Sequence, residues 1–71
     1  MPAEVTAEMV ANVVQIVVAV ESQVAAGDTL LVLESMKMEI PVLAETGGTV
    51  TEIRVREGDV VQEGDVLVVL D

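Results

Sequence analysis

The chain has 71 residues, a formal net charge of −10 and neither cysteine nor histidine. A chain of this length forms one small domain, and its composition excludes disulfides, cysteine- or histidine-based metal sites and histidine-dependent catalysis, so we expect no catalytic residue and no metal ligand. With three cationic residues and no aromatic side chain, it is also a poor candidate for binding nucleic acid or anionic membranes.

The beginning of the chain lacks the basic segment of a secretory signal. Its apolar stretches, such as residues 13–20 and 30–33, are far below the roughly 18 residues that a membrane-spanning helix needs. We therefore expect a cytoplasmic protein without a membrane partner. The acidic excess is interpreted as a solubility feature, with steering toward a basic partner surface as the alternative.

An internal repeat organises the chain, because an offset of 37 residues aligns residues 13–34 with residues 50–71 without a gap. Each half reads as strand, turn, short strand, Gly-Asp turn and strand. Val13 and Val50 are each out of phase with the isoleucine three positions later, which predicts a β-bulge in both halves.

Turn chemistry separates these segments. Glycine accepts positive φ, and four glycines are interpreted as turn residues: Gly27, Gly48, Gly58 and Gly64. Glu21 stands where the repeat would place a glycine, so the first turn is expected to use a geometry that does not require positive φ.

The continuous apolar runs at residues 30–33 and 66–70 are typical of strands enclosed on both faces. Two similar all-β halves with an aliphatic, valine-rich composition predict two small sheets packed face to face and related by a pseudo-two-fold axis.

The segment that joins the halves contains the only lysine, Lys37, between Met36 and Met38. Apolar runs on both sides predict a tight hairpin turn near Met36 and Lys37, and Pro41 predicts that the returning strand is an edge. Under the offset, Lys37 corresponds to a position just past the chain end, so we expect it at the pole opposite that end. The methionines are interpreted either as core filler or as a recognition surface for an enzyme that modifies the lysine.

Residues 34–39, Glu-Ser-Met-Lys-Met-Glu, closely resemble the biotinylation signature of biotin carboxyl carrier domains, usually Glu-Ala-Met-Lys-Met. The Gly-Thr-Val that begins at Gly48 and the Glu-Gly-Asp around Gly58 also fall where that family has them. The resemblance covers nearly the whole chain. It implies a flattened, eight-stranded antiparallel sandwich of two four-stranded sheets with internal two-fold symmetry.

The same resemblance implies that Lys37 carries covalent biotin on a hairpin at about residues 34–40. The hairpin residues expected to be recognised by a biotin protein ligase are Glu34, Ser35, Met36, Met38 and Glu39. Biotin on Lys37 would then accept a carboxyl group at a biotin carboxylase and deliver it at a carboxyltransferase. Residues 1–71 are accordingly interpreted as a single, free-standing, non-catalytic carrier domain of a biotin-dependent carboxylase, monomeric when isolated.

The chain departs from the family pattern at three places. Ser35 replaces the usual alanine, Glu21 replaces a turn glycine, and residues 24–30 leave no room for the protruding thumb of some carriers. The missing thumb places the chain nearer the carriers of acyl-CoA and pyruvate carboxylases. Two alternatives stay open: a lipoyl carrier, whose lysine is typically flanked by Asp and Ala, and an unmodified structural module.

Overall fold

A computed structural model describes residues 2–71, which form eight strands in two four-stranded antiparallel sheets. In chain order the strands are β1 (Ala3–Thr6), β2 (Ala11–Ile16), β3 (Gln23–Val24), β4 (Thr29–Ser35), β5 (Met38–Leu43), β6 (Gly48–Ile53), β7 (Val60–Val61) and β8 (Val66–Leu70). The predicted all-β sandwich of two four-stranded sheets is confirmed.

We call the sheet with strand order β1-β8-β6-β3 the terminal sheet, and the sheet with order β5-β4-β2-β7 the hairpin sheet. The two continuous apolar runs form strands β4 and β8, each of which lies between two neighbours in its sheet. Pro41 lies on β5, an edge strand, as its missing N–H requires.

An aliphatic core fills the space between the sheets. Among residues 2–71 the largest fully buried side chains are Leu30, Leu31, Leu67, Val13, Val50, Val61 and Val68. In the same part of the chain no charged or polar residue is buried, so hydrophobic burial and backbone hydrogen bonds stabilise the domain. Both halves of the repeat contribute to this one core.

The two-fold relation is visible in individual hydrogen bonds. The Ala7 N–H donates to the Asp65 carbonyl at 2.9 Å, and 37 residues along the chain the Ala44 N–H donates to the Asp28 carbonyl at 2.8 Å. The two donors, Ala7 and Ala44, lie outside the repeat detected in the sequence, whereas the two acceptors lie within it. Strand β1 is therefore the counterpart of β5, and the structural repeat pairs residues 3–34 with residues 40–71.

Both predicted bulges are present at equivalent positions. The pairing of β2 with β4 shifts register between Val13 and Gln15, and the pairing of β6 with β8 shifts between Val50 and Glu52. The extra residue bends each strand and increases its twist. This bend helps the chain to pass from one sheet to the other after β2 and after β6.

The expectation for Glu21 is wrong, because its φ is 78°, close to the 96° of its counterpart Gly58. The Glu21 N–H donates to the Val50 carbonyl at 2.7 Å, and the Gly58 N–H donates to the Val13 carbonyl at 2.8 Å. The loop that crosses between the sheets thus requires the same left-handed backbone conformation in both halves. Glu21 adopts it at a cost of about 1–2 kcal/mol.

Gly48 is not a turn residue, contrary to the sequence interpretation. It is the first residue of β6, and a Cβ atom there would lie 2.9 Å from the Asp71 carbonyl oxygen. Close approach of two backbones, rather than turn geometry, accounts for this glycine. The other three predicted turn glycines do have positive φ: Gly27, Gly58 and Gly64.

Candidate functional site

Strands β4 and β5 form the hairpin that contains the lysine. Their pairing continues to Ser35 opposite Met38, which leaves Met36 and Lys37 as a two-residue loop. Both loop residues have positive φ, 53° at Met36 and 65° at Lys37. Positive φ at both central positions defines a type I′ turn, whose twist matches that of the flanking strands.

This turn is formed by two residues that do not favour it. Glycine and asparagine usually occupy type I′ turns, and a side chain in the left-handed region costs about 1–2 kcal/mol per residue. Left-handed non-glycine residues cluster at functional sites, where the rest of the structure holds them in place. The Met36–Lys37 pair therefore indicates a selected function at the tip rather than optimised folding.

The tip presents an amine between two exposed apolar side chains. Met36 is 88% exposed and Met38 is 59% exposed, while Lys37 is also exposed. The methionines are therefore not core filler. Large apolar groups held in solvent at a loop are typical of a surface that another protein recognises.

The charges around the tip are not arranged for stability. Within residues 2–71, Lys37 makes no ion pair and no side-chain hydrogen bond, whereas Arg54 pairs with Glu52 at 3.2 Å. Glu34 and Glu39 lie directly opposite each other on β4 and β5, and both are exposed. Like charges in this position are destabilising. They produce a band of negative charge at the base of the hairpin.

Asn12 and Val60, which lie beside the base of the hairpin, are absent from the sequence interpretation. Asn12 pairs with Glu34 on one side and with Val60 on the other. Their neighbourhood depends on the pairing of β2 with β4 and β7, which joins residues far apart in the chain. A bulge in β2 sets this register, and residue patterns alone do not define it.

The hairpin and the chain end lie at opposite ends of the domain. Asn12 lies beside the hairpin, and from there the chain runs along β2 and the loop after it to Ser22, whose carbonyl accepts from the Val50 N–H. The residue before Val50 exchanges both backbone hydrogen bonds with Asp71. The six residues of β2 alone span about 20 Å, more than half of the longest dimension of the domain, which is 32 Å. This connectivity agrees with the predicted polar position of Lys37.

Chemically, the site is an exposed primary amine on a rigid support. Its surroundings supply carboxylates and thioethers, and neither type of group is positioned to act on a substrate. Such a tip can be acylated by an enzyme that brings its own catalytic groups. Nothing in residues 2–71 forms a helix long and apolar enough to traverse a bilayer.

Comparison with known proteins decides the family. The sequence profile described as "Biotin-requiring enzyme" matches residues 1–70. The chain belongs to this family. Its cofactor is biotin, and the domain is a carrier rather than a catalytic unit.

Similar proteins of the same size are known. This carrier domain is 50% identical over 70 residues to a "Biotinylated protein TB7.3 homolog" of Mycobacterium leprae, covering 99% of both chains. It is 44% identical over 66 residues to a "Biotin/lipoyl attachment protein" of Bacillus subtilis, covering 93% of this chain and 90% of the relative.

The fold also occurs inside much larger carboxylases. The urea carboxylase of Kluyveromyces lactis superposes with a TM-score of 0.94 at 32% identity, over 100% of this chain and 6% of that protein. The carrier domain is homologous to the biotinyl domains of pyruvate carboxylase and of acyl-CoA carboxylases. It spans 6% of the pyruvate carboxylase of Bacillus subtilis and 10% of the acyl-CoA carboxylase subunit of Mycobacterium leprae.

Proposed function

We propose that Lys37 is the biotin attachment residue and that the domain transfers carboxyl groups between a biotin carboxylase and a carboxyltransferase. The observation that carries this proposal is the geometry of the tip. The only lysine in the chain is exposed in a type I′ turn, between two exposed methionines and at the far end from the chain terminus.

The residues at the tip fit a covalently attached biotin. An amide bond forms when the Lys37 nitrogen loses a proton and attacks the activated carboxyl group of biotin, from which the activating group departs. Within residues 2–71 the Lys37 ammonium has no ion pair to break. Loss of its positive charge therefore removes no contact of the folded domain.

Biotin, when bound, supplies the ring nitrogen that accepts and releases the carboxyl group. The chain contributes placement. The β4–β5 hairpin is paired without interruption from Leu31 opposite Val42 to the tip, so the attachment point is fixed while the lysine side chain is free to turn. A tethered group on such a support reaches a high effective concentration at each enzyme that the domain visits.

Three partners follow from this function: a biotin protein ligase, a biotin carboxylase and a carboxyltransferase. For the ligase, the supported recognition surface is the hairpin itself, formed by Glu34, Ser35, Met36, Met38 and Glu39. The net charge of −10 opposes self-association, which supports a monomer. The cytoplasm is the proposed compartment, since the ligase and the biotin carboxylase both consume ATP there.

Intact-mass measurement on the protein from its native host tests the proposal. We expect a mass increase of one biotinyl group, located on Lys37 by peptide sequencing, and none in the Lys37→Arg variant. The melting temperature of that variant should equal that of the wild type, because Lys37 makes no ion pair and no side-chain hydrogen bond within the described chain. A lipoyl mass, or an unmodified protein despite an active ligase and ample biotin, would overturn the proposal.

A further inference from the structure

The outer surface of the hairpin sheet is unusually apolar for a small acidic domain. We define the apolar face as Val14, Val17, Pro41, Leu43 and Val60. All five residues are exposed, with exposed fractions of 41% at Val14 and 65% at Val60. They belong to β2, β5 and β7 or follow β2 directly, and they lie away from the buried core.

The internal repeat supplies a matched comparison. The 37-residue offset relates the apolar face to Thr51, Glu4, Thr6 and Gln23 of the terminal sheet and to Arg54, which directly follows β6. All of these are polar or charged. The same fold thus accepts polar side chains at every one of these places, so folding does not explain the apolar face. An interaction with another molecule explains why these residues are apolar.

The charges around the apolar face indicate what kind of surface covers it. Glu34 and Glu39 lie between the face and the tip, and the Glu57 carboxylate reaches the flank of β2, where it accepts from the Ile16 N–H at 3.0 Å. A second copy of this chain would oppose these carboxylates with its own net charge of −10. The complementary occupant is an apolar patch bordered by lysine and arginine.

The position of the face relative to Lys37 distinguishes between partners. Pro41 lies four strand positions from Lys37, a separation of about 13 Å. A ligase acts on the lysine nitrogen itself and must contact the tip. An enzyme that acts on the far end of the biotinylated side chain has room to dock behind the tip. ATP and bicarbonate are anions, so the mouth of a biotin carboxylase needs cationic groups, which suit the Glu34–Glu39 band.

We infer that the apolar face is the docking surface for the biotin carboxylase, with the Glu34–Glu39 band facing basic residues of that enzyme. This inference rests on the proposed carrier function and adds the surface through which the carrier is held. The tip and the docking surface are then separate sites on one sheet. The ligase recognises the first, and the carboxylase binds the second.

A triple variant tests the inference: Val14→Thr, Leu43→Thr and Val60→Gln. Each substitution introduces the uncharged residue found at the equivalent place in the terminal sheet, so the fold should be retained, with melting temperature as the check. Val20→Thr is the matched control, because Val20 is exposed but lies outside the apolar face. The probe is the biotin carboxylase component of the source organism with ATP, bicarbonate and each biotinylated carrier.

We expect the KM for the triple variant to rise about tenfold, equivalent to about 1.4 kcal/mol, with kcat unchanged. Its biotinylation by the ligase should proceed at the wild-type rate, and Val20→Thr should match the wild type in both assays. If the triple variant is poorly folded, each single substitution should still raise KM about twofold.

Three results would overturn the inference. An unchanged KM would show that the face is not used, and an equal loss of ligation rate would assign it to the ligase. A wild-type dimer in sedimentation that the triple variant abolishes would identify a second copy as the occupant. If the biotinylated wild type is itself not carboxylated, the proposed function fails first. That failure is distinguishable because it does not depend on the variants.

Discussion

Three non-glycine residues of the described chain have left-handed backbone, and they differ in purpose. Met36 and Lys37 form the tip of the exposed hairpin, where the turn places the lysine. Glu21 lies in the crossing loop at the other end of β2, and its side chain makes no hydrogen bond or ion pair within residues 2–71. We therefore expect that the strain at Glu21 can be relieved without loss of function.

Glu21→Gly is expected to increase the free energy of unfolding by about 0.5–1 kcal/mol, because relief of the left-handed strain exceeds the extra flexibility of the unfolded chain. Gly58→Glu is the matched control, since it introduces the same residue at the equivalent turn, and it should destabilise by a similar amount. Urea unfolding measures both. Opposite signs for the two variants are the essential result, and a destabilised Glu21→Gly would contradict it.

At the scale of elements, the residue pattern predicts some features and not others. The bulges in β2 and β6 are predictable, because a phase break in apolar alternation is local and occurs at the same place in both halves. The geometry at Glu21 is not, because glutamate gives no local signal for positive φ, and the crossing between the sheets imposes it through long-range hydrogen bonds such as that to Val50.

The candidate site likewise has features that the sequence predicts and features that it does not. The motif around Lys37 identifies the tip from sequence. The row formed by Asn12, Glu34 and Glu39 depends on long-range register, and so does the relation of β1 to β5. The 37-residue offset matches Val5 with Val42, Ala7 with Ala44 and Glu8 with Glu45, but so short a stretch is not distinctive. Matched hydrogen bonds such as those of Ala7 and Ala44 establish the relation.

The β4–β5 turn itself provides a test of strain. The double variant Met36→Asn with Lys37→Gly introduces the preferred residues of a type I′ turn, and we expect the free energy of unfolding to rise by about 1–2 kcal/mol. The variant should accept no biotin. Thermal unfolding measures the gain, which corresponds to roughly 5 °C or more in a domain of this size.

Met38→Asn serves as the control for this turn, because Met38 lies in β5 rather than at a left-handed position. It should give no stabilisation. A double variant that melts below the wild type would instead show that the Met36 and Lys37 side chains stabilise the fold through contacts.

On the scale of the whole molecule, charge opposes folding. Thirteen acidic residues and three basic ones occupy a domain whose longest dimension is 32 Å. At low ionic strength the screening length is about 30 Å, so almost every pair of carboxylates repels. Solubility and attraction to basic partners are the compensating benefits of this repulsion.

Added salt should therefore stabilise the domain. Between 10 mM and 500 mM sodium chloride we expect the melting temperature to rise by roughly 3–8 °C, most steeply below 150 mM. Potassium chloride should give the same curve if screening is the cause. Lys37→Gln, which removes one positive charge, should steepen the dependence, and a melting temperature independent of salt would contradict this account.

The matched hydrogen bonds of the two halves have a consequence for engineering. Two periods of 37 residues make 74 positions, three more than the 71 of this chain. A bridge of three residues after Asp71, leading back into the start of the chain, would complete a hairpin equivalent to β4–β5. With Ser-Met-Lys as the bridge, a circular permutant opened in a surface loop would display a second acceptor lysine at the opposite pole. One small domain could then be labelled with biotin at both ends.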